Sequence, residues 1–269
     1  MTEIFKNRAP LDAQLLEQEL LLRQCLWQNA IIKDEVTSTN DIARELIASN
    51  IEEGTFVLAN FQTQGRGRQN RNWEAPKNSS IFISIILKAN SEQNLGWIPL
   101  LIGLTLHKVI EAETRKSIKI KWPNDLVLMD NDQEYKFAGI LIEKINNQVI
   151  AGIGINFDQE KEELPVSNAS SLKEILQSPI SKEAVIAAFL TELSARWFEE
   201  NNASTWPTPS LVRDYKTNCI TLNKKIEAQL PGGEVINALV VDISQTGELV
   251  VKTDDGTRSL SSADIHLIS

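Results

Sequence analysis

Residues 65–73 read GRGRQNRNW and put three arginines, Arg66, Arg68 and Arg71, into nine positions of a chain whose formal net charge is −9. A guanidinium offers paired donors shaped for a carboxylate or a phosphate, and Gly65 and Gly67 permit backbone angles that other residues resist. The chemistry such a loop suggests is closure over an anionic ligand, with Trp73 supplying an aromatic face for a base or a cation. Alone, the stretch reads first as a solvated surface turn. Three further segments shift that reading: KWPND at 121–125, with Lys121, Asn124 and Asp125; Lys136 in YKFAGILIE, where a strand turns apolar; and GIGIN at 152–156. In the last, Gly152, Gly154 and Asn156 mark a place where backbone must approach something closely. Each segment has a plain structural alternative: a well-made turn, a solvated edge lysine, packing relief. Their joint occurrence in one chain is what points to a site.

The glycines do not make a dinucleotide fingerprint. Gly65-x-Gly67-x-x-Asn70 nearly fits GxGxxG, but that fingerprint needs a helix to open directly after the glycines. Here NWEAPKNSS follows and leads into another strand. No GxxxxGK[ST] occurs in the chain, which excludes a P-loop.

The elements that must position these residues follow from apolar spacing. Leucines at 15, 16, 20, 21, 22 and 26 predict one amphipathic helix over 11–28. AIIKDEV at 30–36 predicts a strand, and Ser38 is the N-cap of a helix buried through Ile42, Ala43, Leu46 and Ile47, so that Ser38, Thr39 and Asn40 sit at a helix mouth. TFVLANF and SIFISIILK are strands with the arginine loop between them, and a helix follows over GWIPLLIGLTLHKVIEAET. SIKIK alternates and ends at WPND, where Pro123 pushes Trp122 toward an extended conformation and leaves Asn124 and Asp125 on a hairpin turn before LVLM. Strands follow at EYKFAGILIEKI and QVIAGIGINF, and Ser181 caps a helix through KEAVIAAFLTELSARWFEE. From Thr217 onward, short apolar runs broken by PGG, TG and DDG predict a small all-β domain of hairpins. The polar, proline-bearing NNASTWPTPS marks the boundary between domains at 1–216 and 217–269.

At 269 residues the chain can bury a sizeable core without a disulfide scaffold, and Cys25 and Cys219 lie too far apart, with no second ligand near either, to suggest zinc or a redox pair. Charges run through the first thirty residues, which therefore read as neither signal peptide nor anchor, and no other apolar run is expected to reach the ~20 residues of a spanning helix. A soluble cytoplasmic protein without membrane partners is expected. With 36 acidic against 27 basic side chains, long-range attraction to DNA is not expected, although a local basic patch can hold a phosphate.

GRGRQNRNW, KWPNDL, KFAGILIE and GIGIN, in that order, resemble the signature segments of biotin protein ligases, and TSTN at 37–40 and FQTQ at 61–64 are similar to the segments that precede them there. The resemblance covers 30–160 by motif and the terminal β region by position and pattern. It implies an α+β fold with a mixed, largely antiparallel central sheet flanked by helices, like that of class II synthetases, followed by a small SH3-like β-barrel. The activity it implies is ATP-dependent ligation: biotin and ATP give biotinyl-5′-adenylate, and the biotinyl group passes to one lysine of the biotin carboxyl carrier domain of acetyl-CoA carboxylase. ATP comes with Mg²⁺, and no protein metal site is expected.

By the same resemblance Ser38, Thr39, Asn40 and Gln62 hold biotin, Gly65, Arg66, Gly67 and Arg68 cover biotin and phosphate, and Trp73 packs on adenine. Arg71 matches the last arginine of the motif, Lys136 bridges the biotin carboxylate and the α-phosphate, and Asn156 contacts the nucleotide. Asp125 orients or deprotonates the incoming lysine, with Lys121 and Asn124 shaping the same wall. One departure is Asn70, where the family usually has glycine; asparagine tolerates the left-handed conformation, so ordering of the loop, not chemistry, is at issue. The loop is expected to be mobile without ligand and to order over the adenylate. About thirty residues precede the first site strand, too few for the DNA-binding domain of the family's repressors. A lipoate ligase or a biotin-storing protein are the rival readings, and monomer or homodimer stays open.

Overall fold

The computed structural model describes residues 8–88, 92–114 and 116–268. Its larger sheet has seven strands: β1 (Ala30–Val36), β2 (Phe56–Gln62), β3 (Ser80–Lys88), β4 (Ile118–Lys121), β5 (Asp125–Asp130), β6 (Gln133–Ile145) and β7 (Gln148–Asn156). They lie in the order β1-β2-β3-β7-β6-β5-β4; β1 runs parallel to β2 and every other neighbouring pair is antiparallel. The continuous apolar run of β3 is explained by burial on both faces. One face packs under α2 (Thr39–Ala48) through Ala43, Val57, Ile86 and Ile150, and the other joins the main core with α3 (Ile98–Ala112) and α5 (Lys182–Asn202).

Helix α3 is apolar almost all round because it is a core helix. The 18 residues Leu95–Ala112 meet the length and hydropathy of a membrane span, contrary to the sequence expectation, but 61% of the stretch is buried inside the fold. The first helix, α1, is shorter than its leucines suggest and spans Ala13–Leu22. Gln24 turns left-handed at φ 55°, and the amides of Gln24 and Cys25 bond back to the carbonyls of Leu21 and Leu20, both at 3.0 Å, closing a Schellman motif. Leu16 and Leu20 are buried, while Leu21, Leu22 and Leu26 are exposed.

The proline-bearing stretch expected as a linker leads into a further helix. After the short α4 (Leu172–Ile175), α6 spans Pro209–Asn218, with the Thr208 hydroxyl capping it and Leu211 and Tyr215 buried one turn apart. The C-terminal strands β8 (Lys225–Gln229), β9 (Val235–Ile243), β10 (Leu249–Thr253), β11 (Gly256–Leu260) and β12 (Asp264–Ile268) form an antiparallel sheet ordered β11-β10-β9-β8-β12. This small sheet is seated on the larger unit by its 244–247 turn. The buried indole of Trp97 donates to the carbonyls of Ser244 and Gln245, and that of Trp122 donates to the carbonyl of Gly247 at 3.0 Å. Gly247, at φ 81°, lies so close to Gly96 that a Cβ there would be 2.6 Å from the Gly96 carbonyl carbon.

Candidate active site

A cavity of about 450 Å³ opens between the mouth of α2, the loop 65–73, the β4–β5 turn, the middle of β6 and β7, and residues 263–266 of the small sheet. Its floor is made by the paired Gly139 of β6 and Gly154 of β7. The indole of Trp73 lies directly on them, since a Cβ at either glycine would come within 2.8 Å of the ring. Lys136 Nζ stands 5.5 Å from the Trp73 ring centroid and 2.7 Å from Asp125 Oδ1. The lysine contact is an ion pair by proximity without hydrogen-bond geometry, and the buried Trp73 Nε1 also has no hydrogen-bond acceptor.

At the helix mouth Ser38 caps α2 by accepting from the Asn40 amide at 3.3 Å. Gln62 Oε1 accepts from both the amide and the hydroxyl of Thr39, at 2.7 and 3.1 Å. Asn40 faces the cavity and its amide is engaged: Nδ2 donates to Glu143 at 2.7 Å and Oδ1 accepts from Ser84 at 2.5 Å. Asn156 is similar, donating to the Ser170 carbonyl and accepting from Gln159. Both asparagines therefore shape the wall by holding neighbours, and each side chain keeps one N–H and one lone pair beyond these bonds.

The loop 65–73 folds as a small hairpin. The Trp73 amide donates to the Gly65 carbonyl and the Gly67 amide to the Arg71 carbonyl, at 2.8 and 2.7 Å. Gly65 closes the base of the hairpin opposite Trp73, where a Cβ would strike the Trp73 carbonyl, and it does not line the cavity. The left-handed residue of the turn is Gln69, at φ 53°.

Each loop arginine reaches a different element. Arg66 makes a two-toothed bond to Asp41 of α2 at 2.6 and 3.1 Å, with Glu143 of β6 at 3.6 Å. Arg68 donates to Asn124 Oδ1 at 2.9 Å and to the hydroxyl of Ser262, while Arg71 pairs with Asp264. Burial lowers the Arg68 pKa from its ordinary value against the nearby charges of Asp125 and Asp264. Asn124 is itself oriented by donating to the Ile140 carbonyl, and Lys121 is paired with Glu134 at 2.6 Å. Among the described residues no group of three or more His, Cys, Asp or Glu side chains could hold a metal ion.

Burial would raise the Asp41 carboxyl, but hydrogen bonds from Arg66, Arg44 and Thr37 outweigh it and hold the group at about 2 against an ordinary 3.8. A carboxyl depressed in the folded state stabilises the fold above its ordinary pKa, and that contribution fades as pH falls through the folded value. Asp41→Asn is therefore expected to cost stability at pH 6 and to flatten its dependence between about pH 4 and about pH 2. Urea unfolding at stepped pH measures this, and an unchanged slope in that window would refute it.

The sequence thus places all but Gly65 of its candidate site residues on this one cavity. It misses the groups that hold them: Asp41, Ser84, Glu143, Glu134, Ser262 and Asp264. Only Asp41, in the first turn of a capped helix beside TSTN, carried a local signal.

Residues 33–160 match the biotin/lipoate A/B protein ligase family, and 221–267 match the biotin protein ligase C terminal domain. A biotin–[acetyl-CoA-carboxylase] ligase of Mycobacterium tuberculosis is 30% identical over 279 aligned positions, covering 99% of this chain and 100% of that protein. The bifunctional ligase/repressor BirA of Escherichia coli is 30% identical over 272, covering 97% of this chain and 80% of that protein. Among solved structures, biotin protein ligase from Aquifex aeolicus in complex with biotin and ATP superposes with a TM-score of 0.74 at 27% identity, over 90% of this chain and 99% of that one.

Proposed function

Since the chain belongs to the biotin protein ligase family, we propose that its cleft joins biotin to ATP as biotinyl-5′-adenylate and passes the biotinyl group to a lysine of a biotin carboxyl carrier domain. A carboxylate with a pKa of about 4 to 5 is ionised at neutral pH, so its attack on the α-phosphate needs no general base. It needs cancelled repulsion, because two anions must meet while pyrophosphate leaves. The observation that carries this reading is the meeting of Lys136 and Trp73 on a glycine floor, in one cavity with Arg68. Arg68 is a half-buried guanidinium whose hydrogen-bond acceptors, Asn124 and Ser262, are both neutral, which suits it to an anion.

In this reading Ser38, Thr39 and Gln62 bind the ureido ring, with Asn40 fixing their wall, and Arg66 and Gly67 of the hairpin that Gly65 closes cover biotin. Lys136 bridges the biotin carboxylate and the α-phosphate, Trp73 stacks on adenine, and Arg71, Lys121, Asn124 and Asn156 border the nucleotide. Asp125 exchanges its ion pair with Lys136 for the incoming lysine amine, which attacks only when neutral. Magnesium suits the site as an ion carried in on triphosphate oxygens, since Mg²⁺ keeps several waters and the described residues offer no three-ligand cage. It would neutralise the phosphates in a cavity whose wall carries the carboxylates of Glu74, Asp125, Glu134 and Asp264. We take 1–216 as the catalytic domain and 217–269 as the small β domain. All cleft residues come from one chain, so the reading requires neither a monomer nor a homodimer. ATP dependence and two free cysteines fit the cytoplasm.

The rival acid is lipoate, which the matched family also includes; the C-terminal match is to biotin protein ligases and favours biotin. Incubation with ATP, biotin and an unmodified carrier domain tests the acceptor. Streptavidin-reactive carrier is expected only when both small molecules are present, and a carrier left unmodified while adenylate forms would reject this acceptor class.

A further inference from the structure

The small sheet is docked by Trp97 and Trp122 at its 244–247 turn, and from there it reaches back over the cleft with Ser262 and Asp264. We infer that Asp264 is a positioning residue for ATP: by holding Arg71, and with Ser262 holding Arg68, it pins the arginine hairpin so that its guanidinium groups meet the triphosphate. This rests on the adenylation reading above and assigns the small sheet a part in it.

The geometry favours holding over masking. Asp264 opens β12 with its backbone paired to Gln229 of β8, and its side chain is 16% exposed against 64% for Arg71. The carboxylate is thus the fixed partner and the arginine the held one. A guanidinium has five N–H donors, and the pair engages it through Nη2, which leaves its other edge for a phosphate. Pairing also cancels the Asp264 charge, so little repulsion toward ATP remains to be relieved by removing it. The hold extends to Arg68 through the backbone, because the Arg71 amide donates to the Arg68 carbonyl at 3.1 Å. The close Gly96–Gly247 contact keeps the supporting turn from shifting.

The test uses the full chain as wild type, Asp264→Asn, Asp264→Glu and Ser262→Ala, checked for equal melting temperatures. Without any ligand, trypsin is expected to cut within 66–71 several-fold faster in Asp264→Asn. In biotin-dependent pyrophosphate exchange the KM for ATP is expected to rise about tenfold with kcat within about threefold, the signature of lost ground-state positioning. Asp264→Glu should restore both readouts in part, and Ser262→Ala should raise the KM while leaving biotin affinity unchanged. A purely structural role would instead lower melting temperature and kcat together. Unchanged cleavage and KM would overturn the inference, and a lower KM would overturn it in favour of masking. If the wild type showed no exchange, the adenylation reading would fail, while ligand-free cleavage would still decide whether Asp264 pins the hairpin.

Discussion

Lys136→Ala is expected to slow biotinyl-adenylate formation by about two to three orders of magnitude, the usual cost of removing a positioned charge that acts where charge develops. Lys136 is fixed in β6, whose backbone there is clasped by the Asn168 carbonyl and the Ser170 amide, so its ammonium arrives from a rigid strand. Its Nζ rests between Asp125 and the Trp73 ring on the wall of the cavity that would take the biotin carboxylate and the α-phosphate. The side chain is 37% exposed, so truncating it leaves no cavity in the core and the fold should persist. Single-turnover quenching reads the chemical step, and calorimetry reads biotin binding separately. The rate is expected to collapse while biotin affinity weakens about tenfold or less. A rate within threefold of wild type would remove Lys136 from the reaction.

Asp125→Asn should separate the two halves of the reaction. In the resting cleft Asp125 neutralises Lys136, and it lies at the start of β5 beside Asn124, which holds Arg68. Loss of its charge leaves Lys136 free for substrate anions, so adenylate formation should change by less than about threefold. Transfer to the carrier should fall about a hundredfold, within the range typical of a lost general base. The transfer defect should shrink as pH rises, because a growing fraction of acceptor lysine is then neutral without help. Equal losses in both halves, or a transfer defect independent of pH, would assign Asp125 to orienting Lys136 instead.

What was legible in the sequence was local. The bounds of β3 follow from a nearly continuous apolar run, β1 from the short apolar start of AIIKDEV, and the start of α2 from Ser38. The first helix was overread because Leu21, Leu22 and Leu26 continue the spacing past the point where Gln24 turns left-handed. Helix α6 was missed because NNASTWPTPS reads as a polar linker, although Thr208 before Pro209 is a helix-start signal and Leu211 and Tyr215 supply its buried stripe. For the site, the motifs named the groups that face a ligand, whereas the groups that hold them did not stand out. Arg68 and Ser262 are 194 residues apart, and Arg71 and Asp264 are 193 apart, so no spacing rule links them. The orientations of Asn40 and Asn156 depend likewise on Glu143, Ser84, Ser170 and Gln159, partners that only the folded register brings near.

The central claim is that this cleft activates biotin with ATP, and exchange of labelled pyrophosphate into ATP by the intact chain tests it most directly. The account predicts label in ATP only when biotin is present, and no label when lipoate replaces it. Exchange driven by lipoate, or no exchange with biotin under conditions where biotin binds, would contradict it.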